Sequence, residues 1–411
     1  MNATRPGDAA VESKLPERPR LRGDLVTART VFRGEPSVVV ADRSAGRYVR
    51  FGEGADEILR LLDGTRSVED LATELGRRVG AEFPRDRARA FLAGLAERGF
   101  LEGVPGRPKR RRWNPLALRL PLFDPDRLAG ALRGLGRLLF SGPGIGAAVL
   151  TAAAGLATLA LHGPSARIPA LDDAWTLGAF YAAASVALTL HELGHALALK
   201  SRGGVVREAG VLLLFGMPCL YVDVSDAWLL PTRRDRLIVS SAGLIVELGL
   251  LGAACLALAL APLHGPGAVA AFAVATVCGI RSIAVNLNPL VRLDGYYVLS
   301  DLLGIPNLRP RAFAALAGWA RSGAAKARGD GTERAATRGE RTVLLVYGAL
   351  ALPYGVLLVG GLLWVSARWL VARGGVPGLA AWAVVAALVL ARAVGGAVRT
   401  LRTVGKGGDA P

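Results

Sequence analysis

Thr176-Leu-Gly-Ala-Phe-Tyr-Ala-Ala-Ala-Ser-Val-Ala-Leu-Thr-Leu-His191-Glu192-Leu193-Gly194-His195-Ala-Leu-Ala-Leu199 is apolar along most of its length, yet holds two histidines and a glutamate near its end. A helix crossing a hydrocarbon layer of about 30 Å needs about 20 apolar residues, so the stretch reads as a membrane span. Ionisable groups at mid-depth cost about 2.5–3.5 kcal/mol each on insertion scales, which makes them markers of function. The i, i+4 spacing of His191 and His195 sets both imidazoles on one helix face, a turn apart, where two ring nitrogens can share one zinc ion. Glu192 follows the first of them and can reach a water at the metal, where a general base must be. Half of the chain's 4 histidines lie in this HExxH pattern. A histidine pair making structural hydrogen bonds between helices is the competing reading.

Further apolar runs of similar length give about six spans in all, at 144–161, 176–199, 237–261, 268–290, 342–365 and 376–394. Cationic residues crowd alternate loops: Arg107 to Arg112, Lys200 to Arg236, Arg292 to Arg341 and Arg399 to Lys406, against only Arg167 in 163–175 and 262–267. The positive-inside rule then puts both termini in the cytoplasm, with Arg368 and Arg373 running mildly against it. The whole 411-residue chain is 52% apolar and 20% charged, which excludes a disordered chain. Its 50 Lys+Arg against 33 Asp+Glu give +17, a balance that suits nucleic acid or an anionic membrane surface; the apolar runs decide for the membrane. Three scattered cysteines with no CxxC argue against a disulfide framework or a thiolate zinc site. Four histidines are too few for a multi-histidine di-iron centre. No internal repeat is visible, which argues against a transporter built from duplicated halves.

Ahead of the spans, residues 1–22 read as a polar flexible tail without a signal peptide, and 23–104 as a small soluble domain. Two short strands, Ser37 to Ala41 and Arg47 to Phe51, flank a turn at Asp42 to Gly46. Helices follow at Ala55 to Leu62, Ser67 to Val79 and Arg85 to Arg98, the second opened by Ser67 with Asp70 three residues on. Residues 105–141 form a linker, with a basic run from Arg107 to Trp113 suited to anionic headgroups. Leu128, Leu132, Leu135 and Leu139 share a face of a helix that would lie in the membrane interface. A membrane domain spans 142–397, and 398–411 is a second tail. The fold class expected is a mainly α polytopic membrane helix bundle with a small α+β N-terminal domain.

The order of hairpin then helices, with Ala55-Asp-Glu-Ile-Leu-Arg-Leu-Leu-Asp-Gly-Thr-Arg-Ser67-Val-Glu-Asp-Leu71, resembles the PqqD-like domains of ribosomal-peptide maturation systems. The resemblance implies a small winged helix that holds a precursor's leader peptide as an added β-strand, through unpaired edge hydrogen bonds. A leader peptide is therefore the partner expected at residues 23–104, and nucleic acid is not. A bare winged helix that binds DNA or merely packs on the membrane domain is the alternative.

Two histidines leave a zinc site incomplete. His162 and His264 fall in outer-side loops, so the third ligand must be a carboxylate, and Asp294 and Glu247 are the candidates. Asp294 closes Asn286-Leu-Asn-Pro289-Leu-Val-Arg-Leu293-Asp294-Gly295 at the cytoplasmic end of the fourth span; Glu247 lies within the third. HExxH in one span and this second stretch two spans later resemble the site-2 protease family of intramembrane zinc metalloproteases. The resemblance covers roughly Thr176 to Asp301. It implies that Asp294 is the third zinc ligand beside His191 and His195, that Glu192 is the catalytic base, and that Asn286, with Pro289 of the same motif, helps to hold the substrate.

Three departures suggest a divergent branch, resembling peptide zinc metalloproteases encoded with ribosomally made peptides. Tyr296 and Tyr297 follow Gly295 where a second glycine is frequent, Ala242-Gly243-Leu244 with Glu247 replaces an Ala-Gly-Pro-x-x-Asn signature, and no PDZ-like insert is visible. Glu247 reads equally well as a buried partner of Arg281, and the two tyrosines as interfacial anchors. Val205 to Phe215 and Leu220 to Ser225 look β-like, either an edge for an unwound substrate or a re-entrant hairpin that only packs.

The function expected is zinc-dependent hydrolysis of a ribosomally made peptide or membrane-associated substrate, in a bacterial-type plasma membrane, with lipid and a peptide exporter as further partners. The rival is a non-catalytic scaffold or export partner with a structural or vestigial metal site.

Overall fold

The computed structural model describes residues 15–32, 34–52, 54–79, 83–106, 117–166, 170–214, 217–322 and 338–405. The chain divides into two compact units, Met1–Phe140 with His195–Val239, and Ser141–Gly194 with Ser240–Pro411.

The first unit opens with β1 (Val26–Phe32), β2 (Glu35–Asp42) and β3 (Arg47–Phe51), an antiparallel sheet in the order β1-β2-β3. Helices α1 (Ala55–Leu61), α2 (Val68–Val79) and α3 (Arg85–Glu97) follow. Their apolar faces, with Leu59, Leu71, Leu75, Leu92 and Leu95, close on Val38 and Val40 of β2 and on Phe100 and Leu101. Ser67 and Asp70 cap α2 reciprocally: the Asp70 amide donates to Ser67 Oγ, and the Ser67 amide to Asp70 Oδ2, each at 3.1 Å. Strand β1 is an addition to the two strands expected. The chain just before it is also tied down, through Leu21 N to Leu62 O and Arg22 N to Phe100 O, each 2.9 Å. Part of the expected 1–22 tail therefore belongs to this domain; residues 1–14 and the basic run from Arg107 to Trp113 lie outside the described residues.

A second sheet joins β4 (Ala117–Phe123), β5 (Ala209–Leu214) and β6 (Met217–Val222) in that order, all antiparallel. The hairpin β5–β6 falls on the β-like segments; β4, whose register shifts between Pro121 and Phe123, is new. The single interfacial helix expected after it is two short ones, α4 (Asp126–Ala131) and α5 (Arg133–Leu139), parted at Leu132. Asp126 anchors this turn by accepting from Lys200 Nζ at 2.5 Å and from the Val206 amide at 3.0 Å. Burial alone would raise the Asp126 carboxyl, but these two donors outweigh it and hold it below the usual range.

Helices dominate the second unit: α6 (Gly142–His162), α7 (Ala174–Ser201), α8 (Arg233–Leu260), and α9 (Gly265–Thr276), which runs into a π-helical segment, Val277–Asn286. Then come α10 (Asp294–Leu303), α11 (Leu308–Ser322) and α12 (Arg338–Gly405). Among the described residues, 5 helices are long and apolar enough to cross a membrane: Gly142–His162, Ala174–Ser201, Arg233–Leu260, Gly265–Asn286 and Arg338–Ala380. The first four match expected spans. The last two expected spans both fall in α12, on either side of a break at Gly375, whose φ of 53° no helix allows. Beyond that break the remaining apolar helix, Trp382–Ala391, is shorter than a span. Helix α12 also continues to Gly405, so the expected tail from residue 398 starts later.

Candidate metal centre

Helix α7 carries His191 and His195 one turn apart, both buried. The ligand atoms of His191, His195 and Asp294 all lie within 4.8 Å of one another, a group that could hold a metal ion. His195 Nδ1 is 2.8 Å from the Val239 carbonyl, which can only accept. The proton therefore sits on Nδ1, and the Nε2 lone pair is the one available to a metal. His191 Nε2 lies 3.0 Å from Asp294 Oδ2, and its Nδ1 lies 3.2 Å from Glu247 Oε1. Both rings thus have an oxygen beside Nδ1. Two imidazole nitrogens and one carboxylate oxygen form a donor set that fits three-ligand metal sites with a further position left open.

Local sequence explains these placements. Asp294 is the first residue of α10, after an extended Leu293. Gly295 lets α10 start tight against the end of the π-helical segment, because a Cβ there would run into the Leu287 and Asn286 carbonyls. Asn286, buried at that end, donates from Nδ2 to Asp294 Oδ2 at 3.3 Å. On α8, Gly243 faces the His191 ring so closely that any Cβ would overlap the imidazole.

Of the residues singled out from sequence, His191, His195 and Asp294 come together, and Glu192 follows His191 on α7, half-buried. Glu247 meets His191 at the ring nitrogen that does not face Asp294, so it is not a third ligand on the Asp294 side. It contacts Arg281 and Ser282 as well, which agrees with the buried-partner reading. Asn286 supports Asp294, while Pro289 offers its carbonyl to the Tyr347 hydroxyl at 2.9 Å. Tyr296 departs from the anchor role: it is 2% exposed, packs with Leu344 and Tyr347, and its hydroxyl accepts from the Arg309 amide at 3.3 Å. Tyr297 is 44% exposed. Sequence reasoning missed Ser282 and the Val239 carbonyl, and noted Gly243 only as part of the altered Ala-Gly-Pro signature. Ser282 adjoins the noted Arg281, but no local pattern announces the Val239 carbonyl.

Residues 37–101 match the family model described as Coenzyme PQQ synthesis protein D (PqqD). They form a PqqD-like domain. Neither a curated protein nor a solved structure matches the chain.

Within its unit the PqqD-like domain is clasped by the segment between α7 and α8. Asp226 is 1% exposed and accepts from both arms of the Arg43 guanidinium at 2.9 and 2.7 Å, from the Tyr48 hydroxyl at 3.1 Å and from the Val205 amide at 2.9 Å. Burial, with Asp226 beside it, pushes the Tyr48 hydroxyl pKa up. Phe32 stacks on Trp228 at 6.1 Å, and Arg236 lies over the same Phe32 ring at 4.0 Å while donating to the Leu230 and Val31 carbonyls. Pro231 O accepts from the Val31 amide, so part of the β1 edge is taken; β3 terminates the sheet on the other side.

Proposed function

We propose that this chain is an intramembrane zinc metalloprotease of the site-2 protease type, which cuts a ribosomally made peptide or another membrane-associated substrate. The observation that carries this reading is the gathering of His191, His195 and Asp294 ligand atoms within 4.8 Å, immediately beside Glu192 of the HExxH pattern. A structural metal site has no need of a base.

His191, His195 and Asp294 would hold the ion, a nitrogen-rich set that suits zinc. Bound there, zinc would polarise the scissile carbonyl and bring the pKa of a water at the site toward about 7. Glu192 takes the proton as that water attacks, and hands it to the amine nitrogen as the C–N bond breaks. Asn286 steadies Asp294 through one amide N–H and has a second for a substrate carbonyl. A substrate helix has its own carbonyls already bonded, so it must unwind before cleavage, and the edges of the β4–β6 sheet offer partners for the unwound strand. The PqqD-like domain would capture a leader peptide as an added strand, in a bacterial-type plasma membrane with both termini cytoplasmic and an exporter receiving the product.

The test uses the purified full chain with unfolded casein and a single-span reporter peptide, cleavage being read by mass spectrometry. Wild type loaded with zinc should cut, whereas Glu192→Gln should bind the same zinc per chain and lose about 10²–10⁴ in rate. Wild-type turnover by the variant would remove Glu192 from the mechanism. A zinc-loaded wild type that cuts nothing would leave the scaffold reading.

A further inference from the structure

Glu247 is 1% exposed in the middle of α8. A carboxylate buried in a membrane span is costly unless other groups compensate it. Three groups do. The Arg281 guanidinium and His191 Nδ1 meet Oε1, and the Ser282 hydroxyl meets Oε2. The His191 Nδ1 contact is at 3.2 Å. Arg281 and Ser282 are consecutive, and both come from the π-helical segment Val277–Asn286. Such i→i+5 turns are uncommon and concentrate at functional sites. The same segment ends at Asn286, which donates to Asp294 Oδ2.

We propose that this segment and Glu247 form the supporting shell of the metal centre. Glu247 is a positioning residue: it takes the Nδ1–H of His191, which selects the tautomer whose Nε2 faces Asp294. Arg281 and Ser282 hold Glu247 in place, and Asn286 does the same for Asp294. One short π-helical stretch thereby orients two of the three ligands from behind. This inference rests on the metal-centre reading above. Loss of a partner that orients a metal-bound histidine costs 10- to 100-fold in metal affinity, whereas a purely structural buried ion pair can be exchanged for apolar residues at little cost.

That contrast is the experiment. Zinc affinity of the full-length chain in detergent is measured by chelator competition, and geometry by the visible spectrum after Co²⁺ loading. Glu247→Gln keeps an oxygen for His191 but loses the charge, and should weaken zinc by about tenfold; the double variant Glu247→Leu with Arg281→Leu should weaken it by about a hundredfold while melting near wild type. Should Glu247→Gln alone fail to fold, the apolar double variant still decides. Wild-type zinc affinity and an unchanged Co²⁺ spectrum in the double variant, alongside loss of binding in His195→Ala and Asp294→Ala, would overturn the supporting role and leave the metal centre standing. If His195→Ala and Asp294→Ala also bind zinc like wild type, the metal centre itself is wrong.

Discussion

Gly243 lacks a side chain because His191 stands where one would go. Adding a methyl group to a packed interior costs about 1–3 kcal/mol, and here the displacement falls on the ring of a candidate ligand. Gly243→Ala should therefore lower both the melting temperature and the zinc affinity; a variant that retains wild-type zinc binding would mean the ring can move aside. Asp42 shows a different residue-level effect. Burial would raise its carboxyl pKa, but the Ser44 hydroxyl, the Ala45 amide and Arg22 outweigh burial and hold it below the ordinary 3.8. Because the folded form binds the proton more weakly, its stabilisation is complete above 3.8 and is lost as pH falls through the lower folded value. Melting of the full-length protein should steepen in its pH dependence below about pH 4, and Asp42→Asn should flatten that limb; equal slopes would discard the idea. At this scale His191, Glu192 and His195 were legible from spacing alone. The part played by Glu247 was not, since position along the chain cannot say which ring nitrogen a distant carboxylate will meet.

Elements differ in how plainly they can be read. Strand β1 does alternate, with Thr30 and Phe32 buried and Arg29 and Val31 exposed, but Ala28 and Thr30 on the inner face blur the apolar signal. Strand β4 sets Leu118, Leu120 and Leu122 at alternate positions, but all three are exposed, as is Phe123, and Pro121 stands among them; its pairing with β5 decides its state. The π-helical turn is equally hidden, because i→i+5 bonding depends on what Arg281 and Ser282 find to contact. The clasp on the PqqD-like domain is a matter of elements as well. Asp226→Asn leaves Arg43 without its carboxylate, and with the Arg43 side chain 36% exposed, solvent screening limits the cost to about 1–3 kcal/mol. Hydrogen exchange in the full-length protein should accelerate across Val26–Phe32 and Ser225–Leu229; unchanged rates would show that the clasp contributes nothing.

For the whole molecule, loop charge predicts orientation. A reporter active only outside the cytoplasm should be on when fused after Gly163, past α6, and off when fused after Gly203, past α7; the opposite pattern would invert the chain and the side from which Glu192 is reached. The long apolar helices, their approximate limits, the hairpin-plus-helices domain and the HExxH face could all be read before any coordinates, because each depends on length or on a repeat of 2 or 3.6 residues within one segment. Contacts between segments far apart in the chain decided the rest. These include Asp294 at His191 Nε2 with Glu247 at Nδ1, the sheet formed by β4 with β5 and β6, and the seat of Asp226 under Arg43 and Tyr48. Local periodicity carries no information about such partners: they are chosen by which buried polar groups can satisfy one another once the helices and sheets have packed.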